Sequence, residues 1–166
     1  RIVDQADNTG ATASQTITID TTSPSTPSTP TSYEDNVGDI TSATSTASTT
    51  DDTAPGINVG TGLTDTPKLY VDGVEVAATY NSTTGTLTPD TPLTNGTYDF
   101  TYTLTDAAGN ESGESGALTI TIDTTSPTQT ITIDSITDDT GTAGDFITND
   151  NDGLTIGATL SAVLGV

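Results

Sequence analysis

The only residues in this sequence whose type and placement point to chemistry are its acids. There are 23 Asp and Glu against two cations, Arg1 and Lys68, for a formal net charge of −21. They are grouped. Asp35 and Asp39 lie at the start of a first strand, and Asp51 with Asp52 stands before a second. Asp106, Asn110 and Glu111 flank a last hairpin loop, and Asp20 and Asp123 each directly precede Thr-Thr-Ser-Pro. Strand ends and linkers gather at the poles of a β-sandwich. The start of the first strand and the loop before the last share one pole, so Asp35, Asp39, Asp106 and Asn110 are expected to converge there, with Asp20 brought near by the incoming chain. Calcium takes about 6–8 oxygens from carboxylates, amides and carbonyls, and such a cluster supplies them. Magnesium, which keeps several of its waters, suits the pattern less. Without a cation the carboxylates repel, by about 1 kcal/mol per close pair in water and about 4 at an intermediate dielectric. Asp and Asn also favour turns on their own account; recurrence of the set in two repeats is what argues for metal.

Other chemistries are closed off by composition. With no His and no Cys, the usual general base, transition-metal ligand and disulfide staple are all missing. An enzyme would need a carboxylate pair such as Asp51-Asp52, and no aromatic or cationic pocket residues accompany that pair, so catalysis is not expected. Phosphate backbones and anionic lipid surfaces attract Lys and Arg and would be repelled here; neither nucleic acid nor a membrane is an expected partner. No apolar run reaches the roughly 18 residues that span a bilayer. No signal peptide is visible, and the opening Arg1-Ile2-Val3 falls in mid-pattern, as in a piece of a longer chain.

Two copies of one nonapeptide set the organisation. Thr-Ile-Thr-Ile-Asp-Thr-Thr-Ser-Pro occurs at 16–24 and again at 119–127. Upstream, Asp4-Gln-Ala-Asp-Asn8 matches Asp106-Ala-Ala-Gly-Asn110; downstream, Asp35-Asn-Val-Gly38 matches Asp138-Asp139-Thr-Gly141, and Thr50-Asp-Asp52 matches Asn149-Asp150-Asn151. The period is that of an immunoglobulin-sized domain. Residues 1–22 read as the last strands of one repeat, 23–32 as a Ser/Thr/Pro-rich linker, 33–123 as a complete repeat, 124–130 as a second linker and 131–166 as the start of a diverged third. Whether 23–32 is ordered stays open on composition alone. Residues 131–166 are expected to be partly disordered or to borrow a partner, since half a sandwich leaves edges open. Asp138, Asp139 and Asp150 are candidate ligands in this third part. Asp150-Asn-Asp-Gly153 imitates an EF-hand loop, but Thr159 stands where the bidentate Glu belongs, so that motif fails.

Strand signals run through the complete repeat. Lys68–Val76 is two short strands about Asp72-Gly73, a pair suited to a type I′ turn. After Asn95-Gly96, residues Tyr98, Phe100, Tyr102 and Leu104 share one face, and Leu118, Ile120 and Ile122 repeat the alternation. Ile57, Val59 and Leu87 mark further strands. No helix longer than a turn is indicated. About seven strands in this length predict an all-β, immunoglobulin-like Greek-key β-sandwich, in tandem repeats. Tyr98 reads first as a core aromatic and second as a tyrosine corner.

These strings carry a resemblance. Asp35–Ile40, Thr49–Pro55, Thr105–Ser112 and Ile120–Pro127, in this order, resemble the bacterial Ig-like repeats of giant adhesins, the biofilm-associated and RTX-type proteins that Gram-negative bacteria export by type 1 secretion. The resemblance implies an extracellular, cell-surface extender: tandem domains, stiffened by calcium, projecting a distal ligand-binding region for adhesion or biofilm formation. It implies calcium ligands at Asp35, Asp39, Asp51, Asp52, Asp106, Asn110 and Asp123. In the third repeat Thr142 stands where Asp39 would align. The expected partners are calcium ions and neighbouring repeats of the same chain, with the chain a monomer. The rival reading is a ligand-binding module for carbohydrate, ice or protein. Against it, the sequence has no Trp, and its Thr lie in irregular strands rather than in a short flat array.

Overall fold

A computed structural model describes residues 2–149, 151 and 153–162, in two compact units, Arg1–Thr124 and Thr125–Val166. The first unit is all-β. It contains β1 (Tyr33–Asp35), β2 (Ser42–Ser45), β3 (Thr49–Thr50), β4 (Gly56–Asn58), β5 (Thr66–Val71), β6 (Val74–Val76), β7 (Ala78–Asn81), β8 (Thr86–Pro89), β9 (Gly96–Thr105) and β10 (Leu118–Ile122). These make two five-stranded sheets, ordered β2-β1-β4-β8-β7 and β3-β10-β9-β5-β6. Every pairing is antiparallel except β3 with β10, where Thr49 and Thr50 run parallel to Thr121 and Ile122. Ten strands of two to ten residues stand where about seven were expected.

Alternation of apolar and polar residues builds the core between the sheets. Tyr33, Ile57 and Leu87 from one sheet meet Leu69, Phe100 and Ile120 from the other, all essentially excluded from solvent, with Val59, Val71 and Tyr102 beside them. The Asp72-Gly73 turn has both φ angles positive, 51° and 76°, as a type I′ hairpin requires. Asp72 Oδ1 also accepts the Asp99 N–H at 2.9 Å, tying the turn to β9.

Two expectations change. Tyr98 is half-buried and packs against the core, and its hydroxyl donates to the Thr94 carbonyl four residues upstream at 3.0 Å. That bond is the tyrosine corner, the reading placed second. The Ser/Thr/Pro stretch expected as a linker lies against the sandwich: Pro30 is buried, and Thr26 and Thr29 sit on Gly113 and Gly116. The first extended segment of the domain therefore begins before Tyr33.

In the second unit β11 (Ile131–Ile136) and β12 (Ile156–Leu160) form a two-stranded antiparallel sheet with a register shift between Ile133 and Ser135. Ile131, Ile133, Ile156 and Leu160 are exposed on it.

Tyr98→Phe should lower stability by about 1 kcal/mol, the usual net value of one hydrogen bond, and leave the fold unchanged. Urea unfolding would show it as a lower midpoint with an unaltered slope; an unchanged midpoint would mean that the corner bond contributes nothing.

Candidate functional site

The acids fall at both ends of the sandwich. At one end β1 finishes at Asp35, β3 leads into Asp51 and Asp52, and β10 finishes before Asp123. Asp35 and Asp52 are buried, 7% and 3% exposed. Each has one firmly held oxygen. Asp35 Oδ2 accepts the Thr50 hydroxyl at 2.7 Å, and Asp52 Oδ1 accepts the Ala54 N–H at 2.8 Å. Each also has one loosely held oxygen: Val37 N–H lies 3.4 Å from Asp35 Oδ1, and Asn36 N–H 3.4 Å from Asp52 Oδ2. The Asp51 carboxylate lies where a Cβ on Gly38 would stand, and Gly38 has φ of 74°, so both space and backbone call for glycine there. Three carboxylates thus surround the Asn36–Gly38 turn. Asp123 joins this end through its N–H to the Thr50 carbonyl, 2.8 Å, and its Oδ1 accepts the Asn95 amide at 3.3 Å. Asp39 is exposed on the same loop.

Asp106 and Asn110 are at the other end. They follow β9, whose ten residues begin at Gly96, opposite Ile122; that strand spans roughly 30 Å. The expected convergence of Asp35 and Asp39 with Asp106 and Asn110 is therefore corrected. The first extended segment starts about ten residues earlier than the sequence reading placed it, so Asp35 ends a crossing of the domain instead of beginning one. Asp20, at the true beginning, does meet the loop: the Asn110 amide donates to its carbonyl at 3.2 Å.

The Asp106 carboxylate organises its own turn. Oδ1 accepts the N–H groups of Ala108 and Asn110 at 2.9 and 2.8 Å, and Oδ2 accepts the Asn110 amide at 2.9 Å. The Asn110 side chain, then its backbone, holds this carboxyl below the usual range. Asp4 repeats the arrangement with Ala6 and Asn8, at 2.9 Å for all three bonds. The two loops matched by sequence are thus matched in bonding, and both are accounted for by turn geometry.

In the second unit Asp139 Oδ2 accepts the Gly144 N–H at 2.7 Å while its Oδ1 is buried without a partner among the described residues. The Asp138 carbonyl accepts the Thr148 hydroxyl. Asp150 lies outside the described residues. Among the described residues no three Asp or Glu side chains are already set to enclose a metal ion. The donors around Asn36–Gly38 are nonetheless of the right kind for calcium, hard carboxylate oxygens, two of them weakly engaged.

Sequence reasoning missed one polar network. Glu111 Oε2 accepts from Lys68 Nζ at 2.9 Å, and its Oε1 accepts from Tyr70 at 2.8 Å and Thr103 at 2.6 Å. Glu75 reaches the same Lys68 at 3.8 Å. The signal was present, since Lys68 is the one Lys of the chain and Glu111 flanks the last loop. The Thr103 hydroxyl, then Lys68 and Tyr70, bring the Glu111 carboxyl down to about 2. Its bond to Glu111 raises Lys68, and Tyr70's own bond to the other Glu111 oxygen raises Tyr70.

Because the folded value of Glu111 is depressed, its stabilising contribution is complete above the ordinary value of 4.5 and is lost as pH falls toward 2. A carboxyl-detected NMR titration should place its midpoint near 2. Glu111→Gln should flatten the fall in stability across that interval. A midpoint in the ordinary Glu range would remove the network's role in acid stability.

The two-sheet sandwich with its tyrosine corner finds a counterpart among known families. The family model described as a bacterial Ig-like domain matches residues 26–124. No curated protein matches the chain. The match covers more than half of the sequence and starts within the proline stretch that lies on the sandwich, and on this ground the chain belongs to the bacterial Ig-like domain family.

Proposed function

We propose that this chain is a structural spacer from a bacterial cell-surface adhesin, holding neighbouring repeats in line, and that calcium at the Asp35–Asp51–Asp52 end stiffens it. Bacterial Ig-like domains are typically found in surface or extracellular proteins. The spacer reading is supported by internal repetition: the Asp4 and Asp106 loops share their bonding, and the same nonapeptide follows each. The calcium reading is carried by one observation. Two buried carboxylates, Asp35 and Asp52, each present a weakly engaged oxygen to the same turn, with Asp51 beside it. A buried carboxylate with hydrogen bonds but no counter-cation is costly, and a divalent cation would relieve it. Asp123 and Asn95 stand at this same end of the domain, where its last strand finishes. Giant size, RTX character, type 1 secretion and biofilm formation belong to the same proposal and come from the family resemblance.

Thermal unfolding in millimolar calcium against EDTA tests it. Binding to the native state alone adds about 4 kcal/mol at a thousand-fold excess over Kd, or about 15–30 °C for a domain of this size. Magnesium should do much less. Asp35→Asn/Asp52→Asn should abolish most of the calcium shift, whereas Asp106→Asn should weaken the fold without removing it. An identical melting curve in calcium and EDTA would sink the metal and leave a bare structural module.

A further inference from the structure

We infer that the proline stretch, residues 24–30, is a metal-independent lock that seats the chain arriving from the N-terminal side along the whole domain. The purpose assigned to it rests on the spacer reading. The recognition surface is a shallow track beside β9, and its occupant is this chain's own segment with proline at every third position.

The interlock has one period on both sides. Pro24, Pro27 and Pro30 are spaced by three, and they are half-buried, half-buried and buried while the residues between them are exposed. A strand would bury every second residue. A burial period of three is that of polyproline II, which proline's fixed φ imposes. The track keeps the same period: Ser112 and Ser115 are buried, and Gly113 and Gly116 follow them. A Cβ on Gly113 would stand 2.8 Å from Thr26 Oγ1, and one on Gly116 would collide with Thr29 Oγ1. Neither glycine has a positive φ, so the close approach of the threonines, and not backbone conformation, is what requires glycine.

The track is itself anchored. Ser112 N–H donates to the Leu104 carbonyl at 2.9 Å and its hydroxyl accepts Leu104 N–H at 3.0 Å; Ser115 does the same with Tyr102, at 2.9 and 3.1 Å. Prolines cannot donate to a β-ladder, so the segment is gripped by side-chain shape. It is pinned at its two ends, by Asn110 on the Asp20 carbonyl and by β1, where Tyr33 and Glu34 pair with Ile57 and Gly56. Nothing in this grip needs a cation.

Backbone relaxation of the full chain, in calcium and in EDTA, tests the lock at the amides of Ser25, Thr26, Ser28 and Thr29. Order parameters of about 0.85 are expected in both conditions, falling below about 0.6 in Gly113→Ala/Gly116→Ala. Pro24→Ala/Pro27→Ala, which adds no bulk to the track, should loosen the same amides and covers the case in which the alanine pair fails to fold. Low order in the wild type in EDTA would overturn the inference by making the grip calcium-dependent. Persistent order in both variants would overturn it by showing that neither glycine nor proline forms the lock. The two proposals fail separately: a melting temperature indifferent to calcium with the segment still rigid would remove the metal and leave the lock.

Discussion

Carboxylates outnumber cations here by 23 to 2, and that imbalance constrains everything else. Among the described residues Lys68 is the one cation, and it pairs with Glu111 and Glu75. The rest must be solvated or bonded to N–H and hydroxyl groups. Backbone N–H groups are free where ladders stop, so the acids collect at turns and strand ends: Asp4, Asp20 and Asp106 each accept a backbone N–H of their own loop at 2.8–2.9 Å, and Asp72, in its turn, accepts that of Asp99 in β9 at 2.9 Å. Thr contributes the hydroxyls, as Thr50 does for Asp35 and Thr103 for Glu111. Abundant Thr is then more than β-propensity: its methyl packs on the pleat and its hydroxyl donates a hydrogen bond to acid. Glu111 shows the alternative, in which one acid takes the chain's one Lys and closes β5 onto β9.

The second organiser is β9. It is the longest strand, pairs with both β5 and β10, and carries Phe100 and Tyr102 into the core. Its upper half receives Ser112 and Ser115 in place of a regular partner. Regular pairing resumes at Leu118. That irregular half makes room for an extended segment of period three, which a flat ladder edge would not accommodate. The length of β9 also separates the two acid groups, so any calcium site must be local to one end.

Fold class was legible because burial in a sandwich has period two and the sequence shows it openly: Tyr98 to Leu104, Leu118 to Ile122, and the Asp72-Gly73 turn all fall where alternation and turn chemistry place them. The beginning of the domain was not legible. Pro24, Pro27 and Pro30 signal a linker when read for strands, and their packing follows a different period. Misplacing that start carried Asp35 to the wrong end. The site was read in part: the grouping of Asp35, Asp51 and Asp52 follows from adjacency in sequence. The engagement of Asp106 by its own turn, and of Glu111 by Lys68, depends on side-chain direction that spacing does not encode.

The repeated nonapeptide isolates what sequence alone cannot do. In the second copy Ile120 and Ile122 are each 1% exposed; in the first, Ile17 and Ile19 are 81% and 86% exposed, and no strand is formed there. The residues are identical, so local propensity is identical. The difference is β9, whose Tyr98 and Gly96 lie opposite Ile120 and Ile122. A β-strand is thus completed by its neighbour, and the same holds one level up, where the Asp20 carbonyl becomes part of a joint only because Asn110 reaches it. If the spacer reading holds, each domain in a chain of such repeats would supply the surface that orders the segment entering it, and rigidity would be a property of consecutive pairs.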